Sequence, residues 1–222
     1  MRSIITLLLL LSATVFSYAQ SDVKFGVKAG VNFATIGGEA NHQLNQILEW
    51  TNGYVSTTGR TGMHVGGFVQ LPISETVVIE PGLMYSTKGY TLKGDVDLKV
   101  LDLLGIGAKA DLMSQYLDMP VLIKATLGNG FQIYAGPQIS YLMNADLRTR
   151  ASVLGVNLLN KKFDVTDQFN KIDAALTAGI GYEFRNGVAI NAGYDYGLSR
   201  IDANKSVNAR NQAVKIGMSL KF

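Results

Sequence analysis

Residues 172–197 read IDAALTAGIGYEFRNGVAINAGYDYG, and their period decides the fold. Ile172, Ala174, Leu176, Ala178, Ile180 and Tyr182 hold one parity, while Asp173, Thr177, Gly179, Gly181 and Glu183 hold the other. The pattern resumes with Val188, Ile190, Ala192, Tyr194 and Tyr196 against Asn191, Gly193, Asp195 and Gly197. A period of two is that of a strand with one apolar and one polar face. Asn186-Gly187 between the two runs is the favoured pair for a two-residue hairpin, whose central positions need positive φ. The stretch therefore predicts two long antiparallel strands.

The same split recurs along the chain. Phe25, Val27, Ala29, Val31 and Phe33 oppose Lys24, Gly26, Lys28, Gly30 and Asn32. Met63, Val65, Val69 and Leu71 oppose His64, Gly66 and Gln70, and Val77, Ile79, Leu83 and Tyr85 oppose Glu80, Gly82, Ser86 and Lys88. Leu117 to Ile123 alternate with Asp118 and Lys124, Phe131 to Tyr141 with Gln132, Gly136, Gln138 and Ser140, and Val214 to Phe222 with Lys215, Gly217, Ser219 and Lys221. This gives eight strands of about 10 to 13 residues, enough for a tilted strand to cross a bilayer. Long connections near 35–60, 90–114, 145–170 and 199–211 alternate with short ones at 72–76, 127–130 and 185–187. Short turns thus share one rim with both chain ends, as an all-β, eight-stranded antiparallel up-and-down transmembrane β-barrel requires.

Composition sets the bounds on chemistry. The 222 residues include no Cys, which excludes disulfides, thiolate metal sites and thiol nucleophiles. A formal charge of +3 is too small for a nucleic-acid surface. Met1-Arg2, an apolar run over 4–15 and Ser17-Tyr18-Ala19 have the form of an export signal cleaved after Ala19, leaving 20–222 as the barrel domain. That run is about a dozen residues, short of the ~20 a helical anchor needs.

Alternation does not say which face is inside, and a soluble lipocalin-like binding barrel would bury the apolar one. Three features favour a lipid-facing apolar surface. The polar face carries many glycines, which suit a narrow lumen. Its charges nearly balance: Lys28, Lys88, Lys124 and Lys215 against Glu80, Asp118, Asp173, Glu183 and Asp195, as an enclosed network demands. Aromatic residues gather at strand ends, with Phe25, Phe131, Tyr182, Phe184 and Phe222 at one rim and Phe33, Tyr85, Tyr141 and Tyr196 at the other, forming the two girdles of a membrane barrel.

Residues 24–32 (KFGVKAGVN), 116–141 (YLDMPVLIKATLGNGFQIYAGPQISY) and 178–198 (AGIGYEFRNGVAINAGYDYGL), with the last strand ending Lys221-Phe222, resemble the PorT-like outer-membrane β-barrel domain family, often labelled porin family, of Gram-negative bacteria. The likeness covers the mature chain and is one of architecture, with little information on activity. It implies residence in the outer membrane with periplasmic termini and extracellular long loops. It also implies that Phe222, an aromatic C-terminus, is the signal read by the outer-membrane insertion machinery.

Catalytic signals are weak. With two histidines, a multi-His metal site is excluded. His64 shares the lumen with Glu80, which lies on the adjacent strand and within reach of orienting its imidazole for an outer-membrane hydrolase. A satisfied polar contact is the simpler reading, and no Gly-x-Ser-x-Gly element supports hydrolysis. Asp95-x-Asp97 with Asp102 lacks calcium-loop spacing, and Gly105-x-Gly107 is too short for a dinucleotide fingerprint. Asn41 caps a predicted helix through Trp50 over the barrel mouth, and the apolar patterns at 96–113 and 147–169 read as hairpins continuing beyond the lipid.

The expected protein is therefore a non-enzymatic outer-membrane barrel without cofactors, its lumen packed and polar. The network residues are Lys28, His64, Glu80, Lys88, Asp118, Lys124, Asp173, Glu183, Asp195 and Lys215. Lipid, the insertion machinery and envelope proteins at the loops are the expected partners. A small-solute channel is the further alternative. N-terminal sequencing of the exported protein is expected to begin at Gln20.

Overall fold

The computed structural model describes residues 23–38, 55–95, 107–153, 156–201 and 209–222. The segment expected to be an export signal, the helix expected over 41–50, and Asp97, Asp102 and Gly105 lie outside these. The strands are β1 (Lys24–Gly38), β2 (Val55–Gly59), β3 (Thr61–Pro72), β4 (Val77–Asp95), β5 (Gly107–Leu127), β6 (Phe131–Val153), β7 (Val156–Asp164), β8 (Ile172–Glu183), β9 (Val188–Gly197) and β10 (Ala209–Lys221). All pairings are antiparallel, and β1 bonds to β3 on one side and to β10 on the other, which closes the ring. Ten strands make eight staves, because β2 and β3 both pair β4, and β7 and β8 both pair β6. Closure leaves no open edge, the condition for strands in lipid.

The apolar face points outward. Val27, Ile180 and Ile216 are 51%, 52% and 46% exposed, while the side chains of Lys28 and Glu183 on the opposite face keep only 12% and 18%. Phe25, Phe131, Tyr182, Phe184 and Phe222 are exposed near the short-turn rim, and Phe33, Tyr141 and Tyr196 near the other. The lipocalin-like arrangement is thereby reversed.

Four strands are longer than the sequence pattern predicts: β1, β4, β5 and β6 run 15, 19, 21 and 23 residues. The polar residues near 90–95, 107–114 and 144–153 continue the ladder, because pairing needs only main-chain partners and not an apolar face. β6 and β7 form the hairpin expected within 147–169. Between β7 and β8 the wall is carried by a 3-10 turn, Thr166–Gln168. There the Val165 N–H donates to the Ala145 carbonyl at 2.9 Å, and the Ala145 N–H to Thr166 Oγ1 at 2.9 Å. Val165 packs with Tyr116, Leu142 and Ala145 in a small apolar cluster.

Three irregularities reverse parity, as an inserted residue must where side chains alternate, and one of them lies in the β6–β7 hairpin, where Ala151 pairs Leu159 and Ser152 pairs Asn157. Gly59 pairs Tyr90 and His64 pairs Ser86, so residues 60–63 stand opposite 87–89 and Arg60 is the extra residue. Gln115 pairs Asn144 while Tyr116 pairs Leu142, which makes Met143 extra. Prolines add gaps: ladder pairs are missing beside Pro81, Pro120 and Pro137, which have no N–H to give.

The short turns differ in detail from expectation. The Gly187 N–H donates to the Phe184 carbonyl at 3.1 Å, so Arg185 and Asn186 are central and Gly187, at φ 82°, follows them as the bulge residue of a three-residue loop. Asn186 instead accepts the Val188 N–H on its side chain.

Gly30 shows how closely β1 meets its neighbours. A Cβ there would lie 2.6 Å from both the Gly217 Cα and the His64 Cε1, whereas one on Gly67 would meet only the Gly26 carbonyl oxygen at 3.6 Å. Gly30→Val is expected to lower stability by about 2–3 kcal/mol through overpacking, and Gly67→Ala to change it by less than about 0.5 kcal/mol, in denaturant unfolding of the micelle-bound protein.

Candidate functional site

Polar side chains on the inner parity of the eight staves meet inside the ring, and they form successive layers. Nearest the short turns, Glu183 of β8 pairs Lys221 of β10 and accepts from Gln132 of β6 at 2.8 Å. These residues, with Lys24, Gln70 and Lys124, line a recess of about 370 Å³.

One layer in, Glu80 of β4 is 1% exposed and binds Lys28 of β1 at 2.9 Å, Lys124 of β5, and Gln70 of β3 at 2.9 Å. Both ammonium groups stand over the Phe68 ring, at 5.2 and 5.7 Å from its centroid. A carboxylate between two cations is stabilised by both, and the ring face adds to what holds the second.

The next ion cluster centres on Asp118 of β5, which has no solvent exposure. It takes Lys88 of β4 and Lys215 of β10, each at 3.4 Å, and the Ser86 hydroxyl at 2.8 Å. Lys215 also reaches Asp195 of β9 at 2.5 Å and Gln138 of β6 at 3.2 Å. Thr177 of β8 donates to Asp195 at 2.8 Å. Four staves are tied through two lysines and two aspartates, with β6 added by the Gln138 amide oxygen and β8 by the Thr177 hydroxyl. Between the two clusters lies a cavity of about 50 Å³ bordered by Lys28, His64, Tyr134, Asn191 and Lys215.

Toward the long loops Asn211 of β10 links three further staves. It donates to Asp173 of β8 at 2.7 Å and to the Tyr116 hydroxyl of β5 at 3.3 Å, and accepts from the Tyr90 hydroxyl of β4. Asp173 also accepts from Ser199 at 3.0 Å.

All ten residues picked out on the sequence lie within the ring, but one pairing differs. His64 does not meet Glu80; its Nδ1 bonds Asn32 Oδ1 at 2.7 Å. Asn32 spends its own Nδ2 on the carbonyls of Met63 and Thr87, so its oxygen is the acceptor and Nδ1 carries the proton. Glu80 is instead taken up by lysines from β1 and β5, stronger partners than a neutral ring.

Sequence reading did not select Asn32, Asn211, Tyr90, Tyr116, Tyr134, Phe68 or Lys221. Inner parity was the available signal for Asn32 and Lys221. Phe68 and Tyr134 share the inner parity of His64, Gln70, Gln132 and Gln138, but an aromatic side chain runs against the polar character by which that face is recognised. Among the described residues, no group of three or more His, Asp and Glu is placed to hold a metal ion.

On the outer surface the boundary with lipid is legible in the register. Leu117, Met119, Ile139, Tyr141 and Met143 face outward, and beyond the Met143 bulge the same surface carries Asp111, Asp146, Arg148, Arg150 and Lys162. Asp111 pairs Arg150 at 2.5 Å and accepts from Thr91 at 2.7 Å, while Asp146 pairs Lys162 at 2.9 Å. Burial works against the charged Asp111, yet the Thr91 hydroxyl and the Arg150 guanidinium outweigh it and hold the carboxyl below its ordinary pKa.

A closed ring with an apolar exterior, a paired ionic interior and girdled rims is an outer-membrane β-barrel. The outer membrane protein beta-barrel domain model matches residues 18–203, and the chain belongs to that family. It is an outer-membrane protein. Similar solved structures include the attachment invasion locus protein Ail of Yersinia pestis (12% identity, TM-score 0.44, covering 90% of this chain and 99% of that one). Also similar are Neisserial surface protein A (15%, 0.42, 89% and 97%) and OprG of Pseudomonas aeruginosa (13%, 0.44, 90% and 95%). No curated protein matches the chain.

Glu80→Gln leaves Lys28 and Lys124 facing each other without their anion, and it is expected to destabilise the barrel by about 3–5 kcal/mol. Glu80→Gln combined with Lys124→Met is expected to recover part of that loss, measured in the same unfolding assay.

Proposed function

We propose that the protein is a structural and interaction barrel, with the lumen braced shut by its own side chains and contacts with other envelope components made at the long-loop rim. The observation that carries this reading is the tie across the ring: Lys88, Asp118, Lys215 and Asp195 join β4, β5, β10 and β9 through buried ion pairs. An eight-stranded ring has an interior only wide enough for side chains, and here those side chains bond to one another. The reading is non-enzymatic. His64 is held by Asn32 and lacks the carboxylate that a hydrolytic role requires.

In this reading the termini and short turns face the periplasm and the β5–β6–β7 extension stands outside the cell. Recognition is assigned to that extension, where Arg148 and Lys162 are exposed on an outward charged surface. Phe222, 74% exposed beside Phe25 and bonded to it through the main chain, is assigned to recognition by the insertion machinery.

In planar bilayers the purified protein is expected to give no steady channel of fixed size. Asp118→Ala with Lys215→Ala is expected to introduce conductance; steady channels in the unaltered protein would favour the small-solute channel instead. Because the chain has no cysteine, orientation is directly testable. Lys162→Cys is expected to react with a membrane-impermeant maleimide on intact cells, and Asn129→Cys only after the outer membrane is permeabilised.

A further inference from the structure

The bulge at Arg60 leaves a seam in the wall between β3 and β4. Across residues 60–63 and 87–89, side chains replace part of the ladder: the Met63 N–H donates to Thr87 Oγ1 at 2.9 Å, and Asn32 Nδ2 donates to the Met63 and Thr87 carbonyls at 3.0 and 3.2 Å. One main-chain bond spans the gap, from the Arg60 N–H to the Gly89 carbonyl at 3.1 Å. Gly62 and Gly89 bring no side chains to this stretch, and the wall is thin there. Along it runs a groove of about 410 Å³ bordered on the outer side by Arg60, Thr61, Met63, Tyr85, Thr87 and Met113. Gln115 also lines it, as does Lys88, which is buried and held by Asp118 on the inner face.

The position of Arg60 gives the groove its chemistry. By strict alternation Arg60 would point inward with His64, but as the extra residue of the bulge it lies over the outer surface. Its Cδ is 3.2 Å from where a Gly89 Cβ would stand. Among the described residues it makes no ion pair, and Asp111, whose charge it feels, is already held by Thr91 and Arg150. Tyr85 belongs to the outer aromatic girdle, the level at which headgroups begin. Arg60 therefore stands at headgroup depth, while Met63, Tyr85 and Met113 give the groove apolar walls. A guanidinium with free donors beside an apolar channel complements a phosphate carried on an acyl chain.

We infer that this groove holds one membrane lipid with a phosphate-bearing anionic headgroup, the phosphate on Arg60 and part of one chain between Met63, Tyr85 and Met113. The site requires only the lipid-facing outer surface and not the direction in which the loops point. Thr61 and Thr87 supply further hydroxyls along the groove.

Native mass spectrometry of the full-length exported protein, released from micelles doped with either phosphatidylglycerol or phosphatidylcholine of the same chains, tests this. One retained phosphatidylglycerol is expected, preferred over phosphatidylcholine by about tenfold, the value of a charge-assisted hydrogen bond. Arg60→Gln is expected to abolish the preference and Arg148→Gln, in the charged surface above, to keep it. Met113→Trp fills the groove with Arg60 intact and is expected to lose the retained lipid, which gives a second reading if Arg60→Gln fails to fold. Equal retention of both lipids by the unaltered protein, a preference that survives Arg60→Gln or Met113→Trp, or one that disappears in Arg148→Gln would each overturn the inference.

Discussion

Hydrocarbon offers no partner to a peptide N–H or carbonyl, and the architecture follows from that. A strand in lipid must bond on both edges, so the sheet closes on itself where β1 meets β10. Closure at eight staves fixes a narrow interior, and the interior then has to be filled by residues that alternation has already made polar. Charges placed there are removed from bulk water, so they persist only as bonded groups. Glu80 between two lysines and Lys215 between two aspartates are the consequence.

Filling and closing support each other. Every buried ion pair of the inner network joins residues on different staves, so it braces the wall against opening while the wall excludes water from the pair. Glycine serves the same end from the opposite direction. At Gly30, β1 lies against both β3 and β10 with no room for a side chain, and longer groups from neighbouring positions occupy the axis.

Much of this was legible one residue at a time. Parity alone separated Val27 from Lys28 and Ile180 from Glu183, because a strand has two faces and the chain keeps them distinct. The polar inner residues followed from the same count. Specific partners did not: Glu80 was paired in prospect with His64 on the adjacent strand, and it turned instead to lysines contributed by β1 and β5. Strand length is not legible where the polar residues of 90–95 and 144–153 offer no apolar face to follow. The bulges at Arg60 and Met143 were invisible, because an extra residue is defined only by comparison with the strand opposite.

The sequence by itself determined the period, the sidedness and the rim on which each turn falls, since these depend on near neighbours along the chain and on solubility in lipid. Only the tertiary structure decided which charges meet across the ring, where parity reverses and which cation is left facing lipid. Those outcomes depend on the stagger of staves brought together by closure, and the distance between Lys215 and Asp118 has no counterpart in the spacing of 97 residues that separates them along the chain.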